Sequence, residues 1–391
     1  MQLMPGLAIL IHELTPYRLH LLRRFRDELH QFHLHIFLTS SAGGFDWQIP
    51  RPDGITWHDF SKNAPLARQG QLAEYFHERR KGHRIAAALD QIRPSAVITC
   101  CFFDAAHRLV IHHCHRQGIP ALLWADSSIP SEQSHGLRRA LKHLLLPQLL
   151  RKCSAVLPWG TMGREFYLKY GVPERRILLV PAEPDYRVIE NPPADAIATA
   201  RERFALRPDR NRILFVGRLA REKRVDLLIQ AFAQIAEARP GWDLLIVGDG
   251  PLREPLQAMA PAALRARIIW TGAMTTADAL APFYHLADLF VLPSDREPWG
   301  IVVNEAAAAG LPLVCSDIVG AAGDLLRPGA NGQLFPHGDS VALANTLRLL
   351  TGSPELSAMG QKSREILAQW RTMADPVRGM RKALAFSRAA Q

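Results

Sequence analysis

Apolar runs of strand length alternate along the whole chain with longer stretches of helical periodicity. Several runs consist of Val, Ile and Leu without polar alternation, which is typical of strands buried between two helix layers. Strand–helix–strand repetition predicts right-handed crossovers and parallel sheets. The predicted strands are Leu7–Glu13, Leu34–Thr39, Ala96–Cys101, Ala121–Ala125, Ala155–Trp159, Ile177–Pro181, Ile213–Gly217, Asp243–Val247, Arg267–Thr271, Leu289–Pro293 and Leu313–Ser316.

The alternation is interrupted at Pro184–Ala194, a proline-rich segment without an apolar period. Such a segment is typical of a linker between domains. We therefore expect an α/β protein with two doubly wound domains, residues 1–186 and 187–364. Parallel sheets bind ligands at the carboxyl ends of their strands. Two such domains facing each other would place a cleft between those ends.

The chain after Asp339 carries only helical patterns, which Pro354 and Pro376 divide into pieces. Proline ends a helix because it lacks the backbone N–H and clashes with the preceding turn. We expect the last helices, about residues 365–391, to pack back on the first domain.

Composition limits the class of protein. The 391 residues are 48% hydrophobic and 21% charged, which indicates a folded globular chain. No apolar run reaches the roughly 18 residues of a membrane-spanning helix, and the first residues lack the basic lead and cleavage site of a signal peptide. The five cysteines are scattered without a C-x-x-C pair, as in reduced proteins. We expect a soluble cytoplasmic protein.

The net charge of +10 lies mostly in the first half. Residues 1–190 hold 24 Lys and Arg against 17 Asp and Glu, and the remainder holds 23 against 20. A basic half suits nucleic acid, an anionic membrane or a phosphorylated substrate, although no nucleic-acid motif accompanies the charge. The segment His135–Lys152 combines leucines on a helical period with Arg and Lys. It is equally consistent with a helix on anionic lipid and with a helix that has a solvated basic face.

The strongest local pattern follows the predicted strand Leu289–Pro293. Glu297 begins a Pro-Trp-Gly turn, and a helix is predicted from Ile301 until Gly310 ends it. Glu305 then lies about 6 Å along the helix from Ile301. The free N–H groups of the helix start lie between the two carboxylates, an arrangement that suits an anion flanked by hydroxyl-rich groups.

A second pattern supplies positive charge. Gly217 leaves room at the end of the strand Ile213–Gly217, and Arg218 and Lys223 follow it. The guanidinium fork and the ammonium point charge are complementary ways to hold a diphosphate. A third turn, Val247–Pro251, also leads from a strand into a helix, and a tight turn explains its glycines better than a ligand contact does.

The ordered motifs G-R-x-x-x-x-K, V-G-D-G-P and E-P-W-G-x-x-x-x-E resemble the retaining glycosyltransferases of family 4. The resemblance spans about residues 213–339 and implies the GT-B fold, two Rossmann-like domains facing a central cleft. It implies that Glu297 contacts the donor sugar, that Glu305 holds the ribose hydroxyls, and that further groups bind the diphosphate of the nucleotide. These further groups are Gly217, Arg218, Lys223 and the backbone of Trp299, Gly300, Ile301 and Val302.

The chemistry of sugar transfer agrees with this assignment. Cleavage of a nucleotide sugar charges the departing diphosphate and leaves an oxocarbenium-like sugar. Fixed cations and a helix N-terminus stabilise the departing diphosphate, and a nearby carboxylate stabilises the oxocarbenium-like sugar. The sequence contains no D-x-D motif, whose carboxylates usually bind the metal ion of a metal–diphosphate complex. We therefore expect metal-independent transfer with no cofactor.

Three features of the first half are open to more than one interpretation. Tyr17 and Arg18, after the first strand, resemble a P-Y-R found in some family members and are expected on the acceptor side of the cleft. Asp126 follows the strand Ala121–Ala125 and is either a catalytic cleft residue or a turn cap. His112–His115 contains no pair at ligand spacing, so no metal site is predicted there.

The resemblance implies transfer of a sugar from a UDP- or GDP-sugar to a hydroxyl of a glycan or lipid-linked glycan, in cell-surface polysaccharide synthesis. Peripheral contact with the cytoplasmic membrane face would fit a lipid-linked acceptor. Because fold does not fix reaction, a nucleotide-sugar epimerase or hydrolase and a non-catalytic nucleotide-sugar-binding scaffold remain alternatives.

Overall fold

The computed structural model describes residues 4–40, 49–61, 71–130, 132 and 136–389. The chain divides into two compact units. The first unit contains Met1–Ala182 and Ala374–Gln391, and the second contains Glu183–Met373.

The first unit has a six-stranded parallel sheet in the order β3-β2-β1-β4-β5-β6. This is the order of a doubly wound dinucleotide-binding sheet, with β1 between β2 and β4. Its strands are β1 (Gly6–Ile11), β2 (His33–Leu38), β3 (Ile55–Asp59), β4 (Ala96–Thr99), β5 (Ala121–Trp124) and β6 (Ala155–Leu157). Its helices are α1 (Pro16–Glu28), α2 (Gln71–Ile92), α3 (Ala105–Gln117), α4 (Gly136–Leu150), α5 (Thr161–Lys169) and α15 (Pro376–Ala389).

The second unit also has a six-stranded parallel sheet, in the order β12-β11-β10-β7-β8-β9, and β7 is its first strand in the chain. Its strands are β7 (Asn211–Val216), β8 (Trp242–Val247), β9 (Ile268–Gly272), β10 (Leu289–Leu292), β11 (Leu313–Ser316) and β12 (Gly332–Phe335). Its helices are α6 (Tyr186–Glu190), α7 (Ala194–Arg203), α8 (Val225–Ile235), α9 (Arg253–Met259), α10 (Ala277–His285), α11 (Ile301–Ala309), α12 (Gly320–Leu325), α13 (Ser340–Leu350) and α14 (Leu356–Met373). Short 3₁₀ helices occupy Glu174–Arg176, Arg221–Lys223 and Ala262–Arg267.

The central strands are buried on both faces. All residues of β8 and β10 are buried, and β1 is buried from Leu7 to Ile11. This burial accounts for the continuous apolar runs of the sequence, because a parallel sheet is covered by helices on each side. The two doubly wound parallel sheets expected from the sequence are confirmed.

The edges of the sheets are where the strand predictions were wrong. Ile177–Pro181 is not a strand and forms only an isolated bridge from Ile177 to Val156. Two edge strands were missed, β3 and β12. Four of the five residues of β3 are half-exposed and β12 begins with Gly332, so neither carries the apolar run of a central strand.

The boundaries between the units also differ from the expected ones. The chain enters the second unit at Glu183, and the segment predicted as a linker contains α6, whose Tyr186 and Ile189 are buried. The return to the first unit falls at Ala374 rather than near residue 365. Helix α14 stays in the second unit because its Ser363 and Arg364 bond to Asn331 and to the carbonyl of Ala309.

The helices after Asp339 end where the prolines predict, with Pro354 between α13 and α14 and Pro376 at the start of α15. Helix α15 packs within the first unit, where Arg381 donates to the carbonyl of Glu28 at 2.6 Å and Asp375 pairs with Arg24 at 2.9 Å. Within the described ranges, none of the helices has both the length and the apolar character needed to span a bilayer.

Candidate functional site

The second sheet has a topological switch point between β7 and β10. The chain winds from β7 to β8 and β9 on one side and continues through β10, β11 and β12 on the other. Ligands of doubly wound sheets bind outside the carboxyl ends of the strands at such a point. The loops that follow β7 and β10 carry the motifs that the sequence singled out.

The loop after β7 approaches its neighbour closely. The N–H of Gly217 donates to the carbonyl of Val247, and a Cβ added to Gly248 would lie 1.9 Å from the Gly217 oxygen. Only glycine fits at position 248. Arg218 is exposed, and its side chain makes no hydrogen bond or ion pair to another described residue, so its guanidinium is available to a ligand.

The loops after β7 and β10 meet through an ion pair. Lys223 donates to the carboxylate of Glu297, and Ser294 Oγ lies 3.5 Å from the same oxygen. Glu297 is only 8% exposed. The structure therefore brings together the two residues predicted to contact the donor sugar and its diphosphate.

A second pair joins the same loops. Arg224, with a left-handed φ of 50°, pairs with Asp226 and with Asp295. Hydrogen bonds to Asp226 raise the pKa of the guanidinium, and Asp295 adds to this effect. These residues are not predictable from the sequence, because a charged residue carries no signal for the identity of its partner.

The start of α12 holds the backbone of the Pro-Trp-Gly turn. The N–H of Gly320 donates to the carbonyl of Glu297 at 3.0 Å, and the N–H of Ala321 donates to that of Trp299 at 2.8 Å. These bonds fix the turn independently of any ligand.

Helix α11 begins at Ile301 and is followed by Gly310, as the sequence predicts. Gly300 precedes it with φ at +96°, a conformation that favours glycine. The helix start has no side-chain cap and no acidic residue in its first turn. Its first N–H groups therefore keep their partial positive charge for an anion. Ile301 and Val302, which carry two of these groups, are only half-buried.

The indole of Trp299 is part of the core. Its N–H donates to Asn304 Oδ1 at 3.0 Å, and Asn304 Nδ2 donates to the hydroxyl of Tyr186 at 3.0 Å. The ring also lies 6.1 Å from that of Trp370. Only the backbone of Trp299 can serve a ligand. Asn304 was not predicted, although a lone amide in an otherwise apolar helix start is a signal for a buried polar network.

Glu305 is buried in the second turn of α11. Its carboxylate accepts a hydrogen bond of 2.5 Å from the hydroxyl of Tyr284, a residue that the sequence analysis missed. Burial raises the pKa of Glu305 to about 7, against the opposing effect of the Tyr284 bond. Burial, together with the Glu305 charge, raises the pKa of Tyr284 well above its usual value.

The acceptor-side candidates lie together within the first unit. Arg18 donates to the carbonyl of Glu13 at 2.9 Å, and its guanidinium lies 5.6 Å from the Tyr17 ring centre. Asp126 follows β5 and is exposed. Burial of Tyr17 raises the pKa of its hydroxyl, and the negative charge of Asp126 adds to this effect. The structure thus places the three predicted residues in one neighbourhood without assigning their roles.

The histidine-rich segment of α3 does not gather ligands. His112 and His115 are exposed, and His113 bonds to Asp90 at 2.8 Å. Among the described residues, a different set of ligand-type side chains converges in the first unit. The set consists of His12, Cys101, Asp104 and His107.

Comparison with known proteins adds to this geometry. Residues 197–366 match the family model of the glycosyl transferases group 1. Alpha-D-kanosaminyltransferase of Streptomyces kanamyceticus is 36% identical over 160 residues, which are 41% of this chain and 41% of that protein. The chain thus spans less than half the length of this curated relative.

Nearly the whole chain also matches solved structures. Sucrose-phosphate synthase from Thermosynechococcus elongatus has a TM-score of 0.75 at 21% identity, over 99% of this chain and 100% of that one. Anabaena HepE, solved with UDP and glucose, has a TM-score of 0.73 at 17% identity, with the same coverage. These likenesses show the GT-B type of fold, with two Rossmann-like units. The match to the glycosyl transferases group 1 model lies entirely within the second unit.

Proposed function

We propose that this protein is a glycosyltransferase that moves a sugar from a nucleoside-diphosphate sugar to a hydroxyl of a glycan or lipid-linked glycan. The observation that carries the proposal is the Lys223–Glu297 pair at the switch point of the second sheet, next to the uncapped start of α11. The match of this unit to the glycosyl transferases group 1 model supports it, as does the UDP found with HepE.

The donor would be held by its diphosphate. Lys223 and Arg218 supply two cations, and the N–H groups of Gly300 to Val302 supply a helix N-terminus. Glu305 would accept hydrogen bonds from the ribose hydroxyls. Its buried position beside Tyr284 provides a fixed acceptor rather than a mobile surface carboxylate.

Catalysis would rest on charge that is already in place. As the sugar–phosphate bond breaks, Lys223 and the helix start stabilise the negative diphosphate. Glu297, oriented by the same lysine, would stabilise the positive sugar. We propose retention of configuration at the sugar carbon, because the motifs resemble those of retaining enzymes. We also propose that the donor site needs no metal, since the chain lacks a D-x-D.

The acceptor would bind to the first unit, with Tyr17, Arg18 and Asp126 near its reacting hydroxyl. A peripheral contact with an anionic membrane is supported by α4, where Leu141, Leu144 and Leu145 are 52%, 62% and 48% exposed. Arg139 and Arg151 are exposed in and after the same helix. Exposed leucines flanked by cations suit an anionic lipid surface. A lipid-linked acceptor of cell-surface polysaccharide would be met at that surface.

The deciding experiment is a panel of UDP- and GDP-sugars added to the purified chain with a glycan or lipid-linked acceptor. Thermal shift identifies the donor, and product analysis then follows the nucleotide and the sugar. A glycosyltransferase releases nucleoside diphosphate and elongates the acceptor. An epimerase would convert the sugar without releasing nucleotide, a hydrolase would release free sugar, and a scaffold would bind the donor unchanged. Any of these three results contradicts the proposal.

A chelator tests the metal-free donor chemistry. We expect turnover to persist in EDTA and to be unchanged by added Mg²⁺ or Mn²⁺. Loss of activity in the chelator that either of these ions restores would contradict this part of the proposal.

A further inference from the structure

The first sheet has its own switch point, between β1 and β4. The chain winds from β1 to β2 and β3 on one side and passes through β4, β5 and β6 on the other. His12 directly follows β1, and Cys101 and Asp104 follow β4. This edge corresponds topologically to the edge of the second sheet that carries Lys223 and Glu297.

Four ligand-type side chains converge at this edge. One donor atom from each of His12, Cys101, Asp104 and His107 lies within 4.8 Å of all the others. The His12 and His107 ring centres are 4.8 Å apart, and His12 Nε2 lies 3.5 Å from the Asp104 carboxylate. The two loops and the first turn of α3 thus contribute to one cluster.

One buried atom of the cluster has no partner. Asp104 caps α3 by accepting the His107 N–H at 2.8 Å, and it also bonds His107 Nδ1 at 2.7 Å. The His107 side chain is 0% exposed, and its Nε2 has no hydrogen-bond partner among the described residues. Buried polar groups are rarely left in this state. Asp104 thus occupies Nδ1 of His107, while Nε2, on the other side of the ring, has no partner among the described residues.

The donor set has the chemistry of a zinc site. Zn²⁺ prefers imidazole nitrogen, thiolate sulfur and carboxylate oxygen in tetrahedral geometry, with bonds of about 2.0–2.3 Å. A thiolate from Cys101 and the carboxylate of Asp104 would neutralise the dication. Because both oxygens of Asp104 lie within 2.9 Å of His107 Nδ1, an ion held by both residues would bind His107 through Nδ1, in place of the proton that the two groups share. His12 has a side chain 39% exposed, which leaves a path for the ion.

We propose that His12, Cys101, Asp104 and His107 form a Zn²⁺ site that fastens the loop after β1 to the start of α3. The site lies in the first unit and shares no residue with the proposed donor site, whose predicted independence of metal it does not alter. The sequence predicts no metal site here, because His12 and Cys101 are distant in the chain and are brought together only by the pairing of β1 with β4.

The test uses the full chain without an affinity tag, stripped with a chelator and titrated with Co²⁺ as a spectroscopic probe. We expect one Co²⁺ per chain, with the visible absorption of a tetrahedral site and a thiolate-to-cobalt band in the near ultraviolet. Zn²⁺ should displace the cobalt and raise the melting temperature. Absence of one-to-one binding in the wild-type protein would overturn the proposal.

Two conservative variants identify the ligands. Cys101→Ser should abolish the thiolate band and weaken Zn²⁺ binding on the order of 100-fold. Cys100→Ser is the matched control and should keep both, because Cys100 lies outside the cluster. Circular dichroism before metal addition shows that each variant is folded. Retention of the band in Cys101→Ser, or its loss in Cys100→Ser alone, would contradict the assignment. Neither readout involves sugar transfer, so this proposal and the proposed function can fail separately.

Discussion

Lys223 and Glu297 are 74 residues apart in the chain and form an ion pair between the loops after two neighbouring strands. Glu297 is nearly buried, and the ammonium group of Lys223 is its ion-pair partner. Bound diphosphate would compete for this ammonium group. The pair would therefore couple the position of the carboxylate to the presence of donor.

Replacement of this lysine should weaken nucleotide binding. In Lys223→Ala, we expect the dissociation constant for the nucleoside diphosphate to rise roughly 10- to 100-fold, because a charge-assisted hydrogen bond contributes about 1.5–3 kcal/mol. Isothermal titration measures this change, with circular dichroism as the check on folding. Lys362→Ala is the control, since Lys362 is an exposed lysine of the same unit. Wild-type affinity in Lys223→Ala would contradict the diphosphate role.

The neighbouring carboxylate should affect turnover more than binding. In Glu297→Gln the amide keeps the size of the side chain but loses the charge that would stabilise the sugar in the transition state. We expect kcat to fall on the order of 100- to 1,000-fold, in line with removal of one preorganised group. The dissociation constant of the nucleotide should change little. Steady-state kinetics beside titration separates the two effects, and unchanged turnover would remove the proposed role of Glu297.

The sequence was informative wherever a short segment determines its own structure. The sequence from Ile301 to Gly310 predicts both ends of its helix, and the structure has the helix begin at Ile301 and end before Gly310. The order of apolar runs likewise predicts both sheets, because burial on two faces leaves no polar alternation. Edge strand β3 lacks this signal, so its sequence resembles that of a loop.

Partners distant in the chain were not predictable. Glu305 can be placed on its helix from the sequence, but Tyr284 lies on α10 and its hydroxyl meets Glu305 only through packing. The same holds for Tyr186, which reaches Asn304 across 118 residues. The hydrophobic period of a sequence predicts which face of a helix or strand is buried. Which residues pack against that face depends on the whole fold.

Glu305 should make the stability of the protein depend on pH. Burial raises its pKa from 4.5 to about 7 in the folded state, so between these pH values the folded protein binds more protons than the unfolded chain. Stability should therefore fall as pH rises through this range, by on the order of 3 kcal/mol in total.

Glu305→Gln should remove this contribution and flatten the dependence. Urea unfolding at pH 5 and pH 8 without nucleotide measures it, with the exposed Glu365→Gln as control. Equal losses of stability between the two pH values in Glu305→Gln and wild type would show that Glu305 is not the titrating group. Titration of the nucleotide at pH 8 should also show weaker binding to Glu305→Gln if the carboxylate holds the ribose.

The Trp299–Asn304–Tyr186 chain of hydrogen bonds should contribute to stability. Asn304→Ala leaves a buried indole N–H and a buried hydroxyl without their partner, which should cost about 2–4 kcal/mol of unfolding free energy. Asn345→Ala is the matched control, because Asn345 is an exposed helical amide of the same unit. Equal urea midpoints for Asn304→Ala and the control would contradict a structural role for this network.

The exposed leucines of α4 should determine membrane binding. Wild-type protein should cosediment with phosphatidylcholine vesicles that contain phosphatidylglycerol, and less so at high salt, because screening weakens attraction between Arg or Lys and the lipid. Leu141→Ser with Leu144→Ser should reduce binding tenfold or more, since burial of each leucine contributes about 1.5–3 kcal/mol. Leu349→Ser is the control, since Leu349 is as exposed as Leu144, at 62%, but lies in the second unit. If the wild-type protein fails to bind anionic vesicles, or if the control loses binding to the same extent, the basic face of α4 is solvated and the acceptor is met away from the membrane.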